Sequence, residues 1–280
     1  MSIAPGTLGI LNPQQGLARF ALDRYPPAHE LDSFIEGYWS VRWNLGDQPF
    51  EQEILPHPCV NLVFEAERSA VHGPTGERFV AHLSGTGRVL GVKFKPAGFS
   101  AFARVPLTSV VAHVLPIEDA MKCEPRAARE LVAQVLPGEN ALSDIALVED
   151  FLRRCEPRAD PDLELVEQLV TLARSDRTIG RVEQLARAGS LSVRSLHRLF
   201  ERHVGLGPKW IICRARVHEA AERVAAGNQV DWAALAQELG YHDQSHLVRD
   251  FKDQVGFTPT AYAARCEEAA RNGRAAPRSH

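Results

Sequence analysis

Basic and amide side chains recur at helical spacing in two short segments of this 280-residue chain. In the first segment, SVRSLHRLFERHVGLGP (192–208), Arg194, His197, Arg198 and Arg202 fall on the polar side of a predicted amphipathic helix. A guanidinium group offers a rigid, planar set of donors that can bond to two acceptors at once. The chemistry that this helix offers is therefore recognition of acidic or planar polar groups.

The positive charge is unevenly distributed along the chain. Residues 174–218 carry ten Lys or Arg and three acidic residues, a net charge of +7, whereas 219–268 carry four and nine, a net charge of −5. The whole chain has a net charge of only −3. Regional charge is more informative than the total, and this pattern predicts that the first of the two regions binds a polyanion more strongly.

The basic helix belongs to an internal repeat. A phenylalanine, a glycine and a proline recur 51 residues apart, as Phe200, Gly205 and Pro208 and then as Phe251, Gly256 and Pro259. Each copy is preceded by a Leu-Ala pair and a glycine turn, which predicts a second helix upstream. Two helices joined by a short turn are typical of a helix-turn-helix unit, whose second helix fits the major groove of DNA. Two copies are too few for a solenoid.

The doubled pattern L-A-x(n)-S-x3-L-x-R-x-F-x4-G-x2-P resembles the DNA-binding domain of AraC/XylS-family transcriptional regulators. The segment WIICRARVHEAAERVAAG (210–227) is similar to the helix that joins the two units in that family. The resemblance covers about residues 163–266. The stretches YWSVRW, LPHPCVNLVF and GRVLGVKFKPAGF resemble a sensory domain that precedes this DNA-binding domain in some members.

The resemblance implies which side chains contact promoter DNA. The base-reading positions correspond to Arg194, His197 and Arg198 in the first unit and to Gln244, Ser245, His246 and Arg249 in the second. Arginine can bond bidentately to guanine and glutamine to adenine, each worth about 1–3 kcal/mol of discrimination. Arg202 and Lys209 complete the predicted set, with Lys209 as a phosphate contact.

Three aspartates flank the second recognition helix and would repel the DNA backbone, namely Asp243, Asp250 and Asp253. Asp243 directly precedes the helix, where an aspartate caps free backbone amides. We therefore expect a capping role for Asp243.

The fold class predicted is α+β. Residues 1–115 read as short strands broken by proline and glycine, which favours an open roll or barrel. Helical periodicity begins near residue 116. The remaining predicted boundaries are a helical segment and linker at 116–160, the double helix-turn-helix domain at 161–268 and a disordered tail at 269–280. Whether 116–155 completes the N-terminal domain or forms a homodimer contact stays open.

Aromatic residues of the N-terminal domain are candidates for an effector pocket. Trp39 and Trp43 share one face of a predicted strand, and Phe64 and Phe94 are further candidate wall residues. We expect a small organic molecule there. Core packing explains much of the aromatic content equally well. If the protein is an activator, RNA polymerase is an expected further partner.

The sequence gives little support to a phosphate-binding loop, a metal site or an enzymatic activity. The glycines of GTGRVLG (85–91) open a strand, which favours a turn between strands over a phosphate cradle. His57, Cys59, His72 and His82 match no defined metal site, so we expect no metal, no cofactor and no enzymatic activity. Two rival classes remain: a DNA-repair or alkyl-accepting protein that uses Cys59, and a DNA-independent adaptor.

Scattered cysteines and the absence of an N-terminal signal pattern or a long apolar run predict a cytoplasmic protein outside the membrane.

Overall fold

The computed structural model describes residues 9–158, 160–226 and 230–275. It confirms the predicted α+β architecture, with a β-rich N-terminal domain followed by helices. The strands are β1 (Phe20–Tyr25), β2 (Ile35–Asn44), β3 (Phe50–Ile54), β4 (Asn61–Phe64), β5 (Ala70–His72), β6 (Phe79–Leu83), β7 (Thr86–Phe94) and β8 (Val114–Leu115).

The helices of the N-terminal part are α1 (Pro13–Gly16), α2 (Ile117–Ala120), α3 (Pro125–Val135) and α4 (Ala141–Arg154). Those of the C-terminal part are α5 (Asp162–Ser175), α6 (Val182–Ala188), α7 (Val193–His203), α8 (Pro208–Ala225), α9 (Trp232–Glu238), α10 (Gln244–Val255) and α11 (Pro259–Ala275). None of the helices in the described part of the chain combines the length and the apolarity needed to cross a bilayer.

The strands form a six-stranded sheet in the order β1-β2-β7-β4-β5-β8 and a separate two-stranded ribbon of β3 and β6. All strand pairs are antiparallel. The ribbon prolongs the β2–β7 pair, because Leu45 donates its backbone N–H to the carbonyl of Gly85 between the two pairs. Among the described strands β1 and β8 end the sheet and do not pair with each other, so the sheet is open and not a closed barrel.

The register places the candidate effector residues on two different faces of the sheet. Trp39 pairs with Gly91 and Trp43 with Gly87 on one face. Phe64 pairs with Leu90 on the opposite face, where Phe94 also lies. Phe64 and Phe94 are buried in the core at 2% and 0% exposure. The four aromatic residues therefore do not form one wall, because side chains alternate between faces along a strand.

The indole rings of the two tryptophans pack against two glycines on β7. A Cβ atom at Gly91 would overlap the indole of Trp39, and one at Gly87 would overlap that of Trp43. The indoles can lie flat on the neighbouring strand only because these positions lack side chains. Gly85 adopts a positive φ of 56° in the turn before β7, so the motif GTGRVLG is a turn and a strand, as predicted.

Helices α3 and α4 of the segment 116–155 pack on the N-terminal sheet. Its apolar stripe, which includes Leu131, Val148 and Phe151, is buried in the same hydrophobic core as the sheet. An ion pair between Arg88 on β7 and Asp144 on α4 fastens the last helix to the sheet.

The C-terminal helices form two packed groups. The core around α5, α6 and α7 is continuous with the core of the N-terminal domain, while α9, α10 and α11 form a second core. Helix α11 runs to Ala275, beyond residue 268, where the expected tail begins. The prediction of a disordered tail is thus wrong for 269–275, and residues 276–280 lie outside the described residues.

We predict that Gly91→Ala destabilises the protein by about 1–3 kcal/mol, the usual cost of overpacking, because the new methyl group must displace the indole of Trp39. Gly76→Ala is the matched control, since a Cβ there lies at an ordinary 3.7 Å from Trp210 Nε1. Urea unfolding measures both. Equal losses of unfolding free energy in the two variants would show that the Trp39 ring does not pack against Gly91.

Candidate nucleic-acid interface

Local interactions shape the first helix-turn-helix unit. Helix α6 ends at Ala188, and Ser190 turns the chain in the left-handed region at a φ of 54°. Ser192 then caps α7, as predicted, because its Oγ accepts a hydrogen bond of 3.0 Å from the backbone N–H of Ser195. The inner face of α7 buries Leu196 and Phe200 completely. These contacts leave the opposite face of α7 at the surface.

The second unit repeats this construction. Asp243 caps α10, as expected, with its Oδ1 accepting a hydrogen bond of 2.9 Å from the N–H of His246. Leu247 and Phe251 are fully buried, and Phe251 packs against Tyr262 of α11 with ring centroids 5.7 Å apart. Gly256 ends the helix with a φ of 84°, a left-handed conformation that favours glycine.

All nine side chains that the sequence predicts to contact DNA are exposed. They are Arg194, His197, Arg198, Arg202, Lys209, Gln244, Ser245, His246 and Arg249. Ser195 lies exposed among the first group and hydrogen-bonds through its Oγ to Ser192 Oγ at 2.8 Å. Ser195 is not among the residues that the sequence predicts to contact DNA.

The aspartate cap keeps its negative charge at the N-terminal end of α10. The backbone N–H of His246 and the side chain of His242 hold the pKa of Asp243 below its usual value. Asp243 Oδ2 lies 3.2 Å from His242 Nδ1 and 3.3 Å from His246 Nδ1. A carboxylate therefore stands beside a predicted base-reading residue.

Part of the positive charge counted in residues 174–218 is unavailable to a ligand. Arg214 is buried at 1% exposure, and Arg177 forms an ion pair with Glu219. Arg216 is half-buried over the ring of Tyr241. The basic surface of the first unit is smaller than the sequence count suggests, and Arg194, Arg198 and Lys209 are among its exposed charges.

Arg214 joins α8 to the N-terminal domain. Its Nη2 donates hydrogen bonds of 2.7 Å to the carbonyl oxygens of both Thr75 and Gly76, and its guanidinium lies 4.6 Å from the ring centroid of Trp210. Burial lowers the pKa of Arg214 to about 10, which leaves it charged at neutral pH. A buried charge with specific acceptors tolerates little displacement.

Two histidines stack across the same boundary. The rings of His57 and His218 are parallel within 8°, with centroids 4.2 Å apart, and His218 Nε2 lies 3.4 Å from the carbonyl oxygen of Pro56. Burial lowers the pKa of His218 to about 3 and that of His57 well below its usual value. Both rings are therefore neutral at physiological pH, which permits them to stack.

The second unit also contacts the N-terminal domain. Glu53 on β3 pairs with Arg78 and with Arg265 of α11. Both guanidinium groups lie over the ring of Phe257. The two domains are thus packed together at several places rather than tethered through the proline-bearing linker alone.

The alternative sites examined in the sequence lack supporting geometry. Cys59 is buried, and burial raises the pKa of its thiol to about 11, so it is a poor nucleophile at neutral pH. Among the described residues, His57, Cys59, His72 and His82 do not come together as a group of metal ligands.

Residues 185–265 match the helix-turn-helix domain family, and residues 23–116 match a domain family of unknown function (DUF6597). An uncharacterized HTH-type transcriptional regulator of Haemophilus influenzae is 27% identical over 101 residues, which cover 36% of this chain and 34% of that protein. This chain therefore matches about a third of the length of that curated relative.

Two solved structures are also similar. The C-terminal domain of AraT, a response regulator from Geobacillus stearothermophilus, is 20% identical with a TM-score of 0.35 and covers 39% of this chain and 88% of that chain. ToxT from Vibrio cholerae is 12% identical with a TM-score of 0.40. The similarity covers 88% of this chain and 98% of that chain. Both scores are low, so neither similarity bears on the function.

The C-terminal part of the chain is thus a double helix-turn-helix domain, with its two units arranged around one long helix. The match over 185–265 and the similar stretch in the regulator from Haemophilus influenzae agree with this assignment.

We predict that Asp243→Asn strengthens DNA binding and changes the free energy of unfolding by less than about 0.5 kcal/mol. Asparagine caps a helix about as well as aspartate, so the variant removes only the repulsive charge. Asp243→Ala, which loses the cap, should cost about 1 kcal/mol of stability. Fluorescence anisotropy with promoter DNA and urea unfolding measure the two quantities. Weaker DNA binding by Asp243→Asn would contradict a purely repulsive effect of the carboxylate.

Proposed function

We propose that this chain is a sequence-specific transcriptional regulator that reads double-stranded promoter DNA with both helix-turn-helix units. The observation that carries the proposal is the repeated surface. Helices α7 and α10 are each capped at the N-terminus, buried on one face and exposed on the face that bears the predicted base-reading residues.

In this proposal the first unit reads bases with Arg194, His197 and Arg198, and Lys209 contacts a phosphate. The second unit reads bases through four residues: Gln244, Ser245, His246 and Arg249. Arg202 forms an ion pair with Asp160 at 3.2 Å, but its side chain is 69% exposed and can turn toward DNA. We propose direct DNA binding rather than catalysis, because the thiol of Cys59 is buried.

A cytoplasmic location agrees with this function, and all five cysteines are free. A homodimer remains part of the proposal, as does a contact with RNA polymerase if the protein is an activator, with no surface assigned to either.

Because both units are held by α8 and by the N-terminal domain, we expect them to enter successive major grooves about 34 Å apart. Footprinting of the protein's own upstream DNA should show an asymmetric site of about two turns. Arg198→Ala should cost about 1–3 kcal/mol and relax the preference at one base pair, and Arg249→Ala should cost less, since acidic residues surround α10.

Two variants serve as references in this experiment. Lys209→Ala should weaken binding to all DNA sequences alike. It should also reduce the slope of log K against log salt concentration by about one unit, as for a single phosphate contact. Arg126→Ala removes the same charge from α3, far from both recognition helices, and should leave binding unchanged. A compact palindromic footprint with one groove per monomer, or equal losses from Arg198→Ala and Arg249→Ala, would contradict the arrangement.

We further propose that the N-terminal domain binds a small organic effector on the Trp39–Trp43 face of the sheet. Both tryptophans are half-buried, and the register places Leu22, Val41 and Val89 on the same face. The indole N–H groups are already bonded, to Asn61 Oδ1 at 3.3 Å and to the carbonyl of Ser84 at 3.0 Å. The surface offered to a ligand is therefore an apolar strip of indole and aliphatic groups, with Arg24 and Lys93 as the charged residues on the same face.

A short physical route joins this face to the linker helix. Asn61, the partner of Trp39, begins β4 directly after the loop that carries His57. His57 stacks on His218 of α8. A ligand that shifts Trp39 can change DNA affinity only if it binds one arrangement of this boundary better than another.

Val41→Asp places a charge between the two indoles and should abolish effector binding. Ala21→Asp, on the opposite face of β1, is the matched control. A thermal-shift screen of small organic compounds identifies the ligand, and its binding should shift operator affinity by about 1–3 kcal/mol. If no compound stabilises the protein, or if Val41→Asp leaves effector binding intact, this effector site is excluded. The DNA footprint tests the proposed DNA recognition separately.

A further inference from the structure

Three side chains converge where the interdomain linker enters α5, and we call Asp160, Asp162 and His203 the junction cluster. His203 Nε2 lies 3.9 Å from Asp160 Oδ2 and 3.7 Å from Asp162 Oδ2. One ligand atom from each residue lies within 4.8 Å of the other two. His203 is only 2% exposed, and its Nε2 is buried without a hydrogen-bond partner.

The hydrogen bonds on the other side of the ring determine which nitrogen of His203 carries the proton. Ser100 donates its single hydroxyl hydrogen to the carbonyl oxygen of Ala97 at 2.8 Å. Its Oγ, 3.2 Å from His203 Nδ1, can then only accept. Nδ1 must therefore donate, and in the neutral ring the lone pair lies on Nε2.

That lone pair faces two carboxylates. Arg202 already pairs with Asp160 Oδ2 at 3.2 Å, but His203 Nε2 itself has no hydrogen-bond partner, so a positive centre between Nε2 and the carboxylates would satisfy all three groups. Asp160 is held in place, since its Oδ1 accepts a hydrogen bond of 3.0 Å from the backbone N–H of Asp162. A proton on Nε2, which would make the ring doubly protonated, is one solution. A metal cation is the alternative that needs no protonation of the ring.

We infer that the junction cluster binds a divalent first-row transition cation, with Zn²⁺ as the best match. One imidazole nitrogen and two carboxylate oxygens are a donor set that Zn²⁺ accepts, whereas Mg²⁺ and Ca²⁺ prefer oxygen alone. Bonds of about 2.0–2.1 Å in a tetrahedron separate the donors by roughly 3.3 Å. The observed separations of 3.7 and 3.9 Å need only small side-chain rotations.

Access and support fit a metal site. Asp162 lies in the wall of an open cleft of about 600 Å³, together with Leu107 and Arg202, through which an ion can enter. A histidine ligand commonly donates its second ring N–H to a fixed acceptor, as His203 does to Ser100. The ion would compete with Arg202 for Asp160 Oδ2, to which Arg202 Nη2 lies 3.2 Å away.

The position of the cluster suggests what the ion does. Asp160 belongs to the linker, Asp162 to α5 and His203 to the end of α7, while Ser100 belongs to the N-terminal domain. A bound ion would fasten the linker and the start of α5 to the end of α7, beside the hydrogen bond of His203 to Ser100 of the N-terminal domain. This inference does not depend on the proposed effector.

Zn²⁺ titration of the full chain at pH 7 tests the inference, with His242→Asn as the background. That substitution weakens the second histidine-bearing cluster, His242, Asp243 and His246. Asp160→Asn and Asp162→Asn should each lower Zn²⁺ affinity at least tenfold, and Glu164→Gln, which removes a charge from the same helix, should not. Ser100→Ala keeps all three ligands but loses the orienting acceptor, and a 10–100-fold loss is expected.

NMR of the imidazole nitrogens supplies a local measurement. Addition of Zn²⁺ should move the Nε2 resonance of His203 in the background protein, and this change should require more Zn²⁺ in Asp162→Asn. Absence of Zn²⁺ binding, or equal affinity in Asp162→Asn and Glu164→Gln, would overturn the proposal. So would a His203 ring that is doubly protonated at pH 7 and insensitive to Zn²⁺, since a proton would then satisfy both carboxylates.

Discussion

The burial of helix α8 is the constraint on which the arrangement of the two domains depends. Its first turns contribute Ile211 and Ile212 to the core shared by the N-terminal domain and the first helix-turn-helix unit, and its later turns contribute Val217 and Val224 to the core of the second unit. Arg214, between these groups, is fully buried and charged. Because one rigid helix belongs to both cores, neither unit can rotate without disturbing the other.

The two recognition helices lie at the ends of this construction. Each buries its leucine and phenylalanine against neighbouring helices and leaves mostly polar side chains outside, with Val193 as an exposed apolar residue on α7. Packing therefore determines the positions of α7 and α10, and the exposed side chains determine what they can recognise. Separating these two roles allows the outer residues to differ between the copies, with arginine at 194 and serine at the equivalent position 245, while the scaffold repeats.

Local chemistry was predictable from the sequence, and contacts across the fold were not. Ser192 and Asp243 act within three residues of themselves, so their capping roles follow from spacing alone. The seating of Trp39 on Gly91 depends on strand register, which no local pattern reveals. The prediction that Phe64 and Phe94 line the same pocket as the tryptophans was wrong for the same reason, because the strand register places them on the opposite face of the sheet. Arg214 was counted with the basic surface because its acceptors, the carbonyls at 75 and 76, lie more than a hundred residues away.

The manner in which Arg214 is held has an evolutionary consequence. Its guanidinium contacts main-chain carbonyl oxygens, and every amino acid supplies one. Substitutions at position 75 that preserve the backbone path should therefore leave the contact intact, so the loop can diverge among related sequences while the arginine is retained. Because Arg214 contacts backbone carbonyl oxygens, the residue types at the two ends of the contact need not covary. Methods that infer contacts from paired substitutions would therefore not detect this boundary.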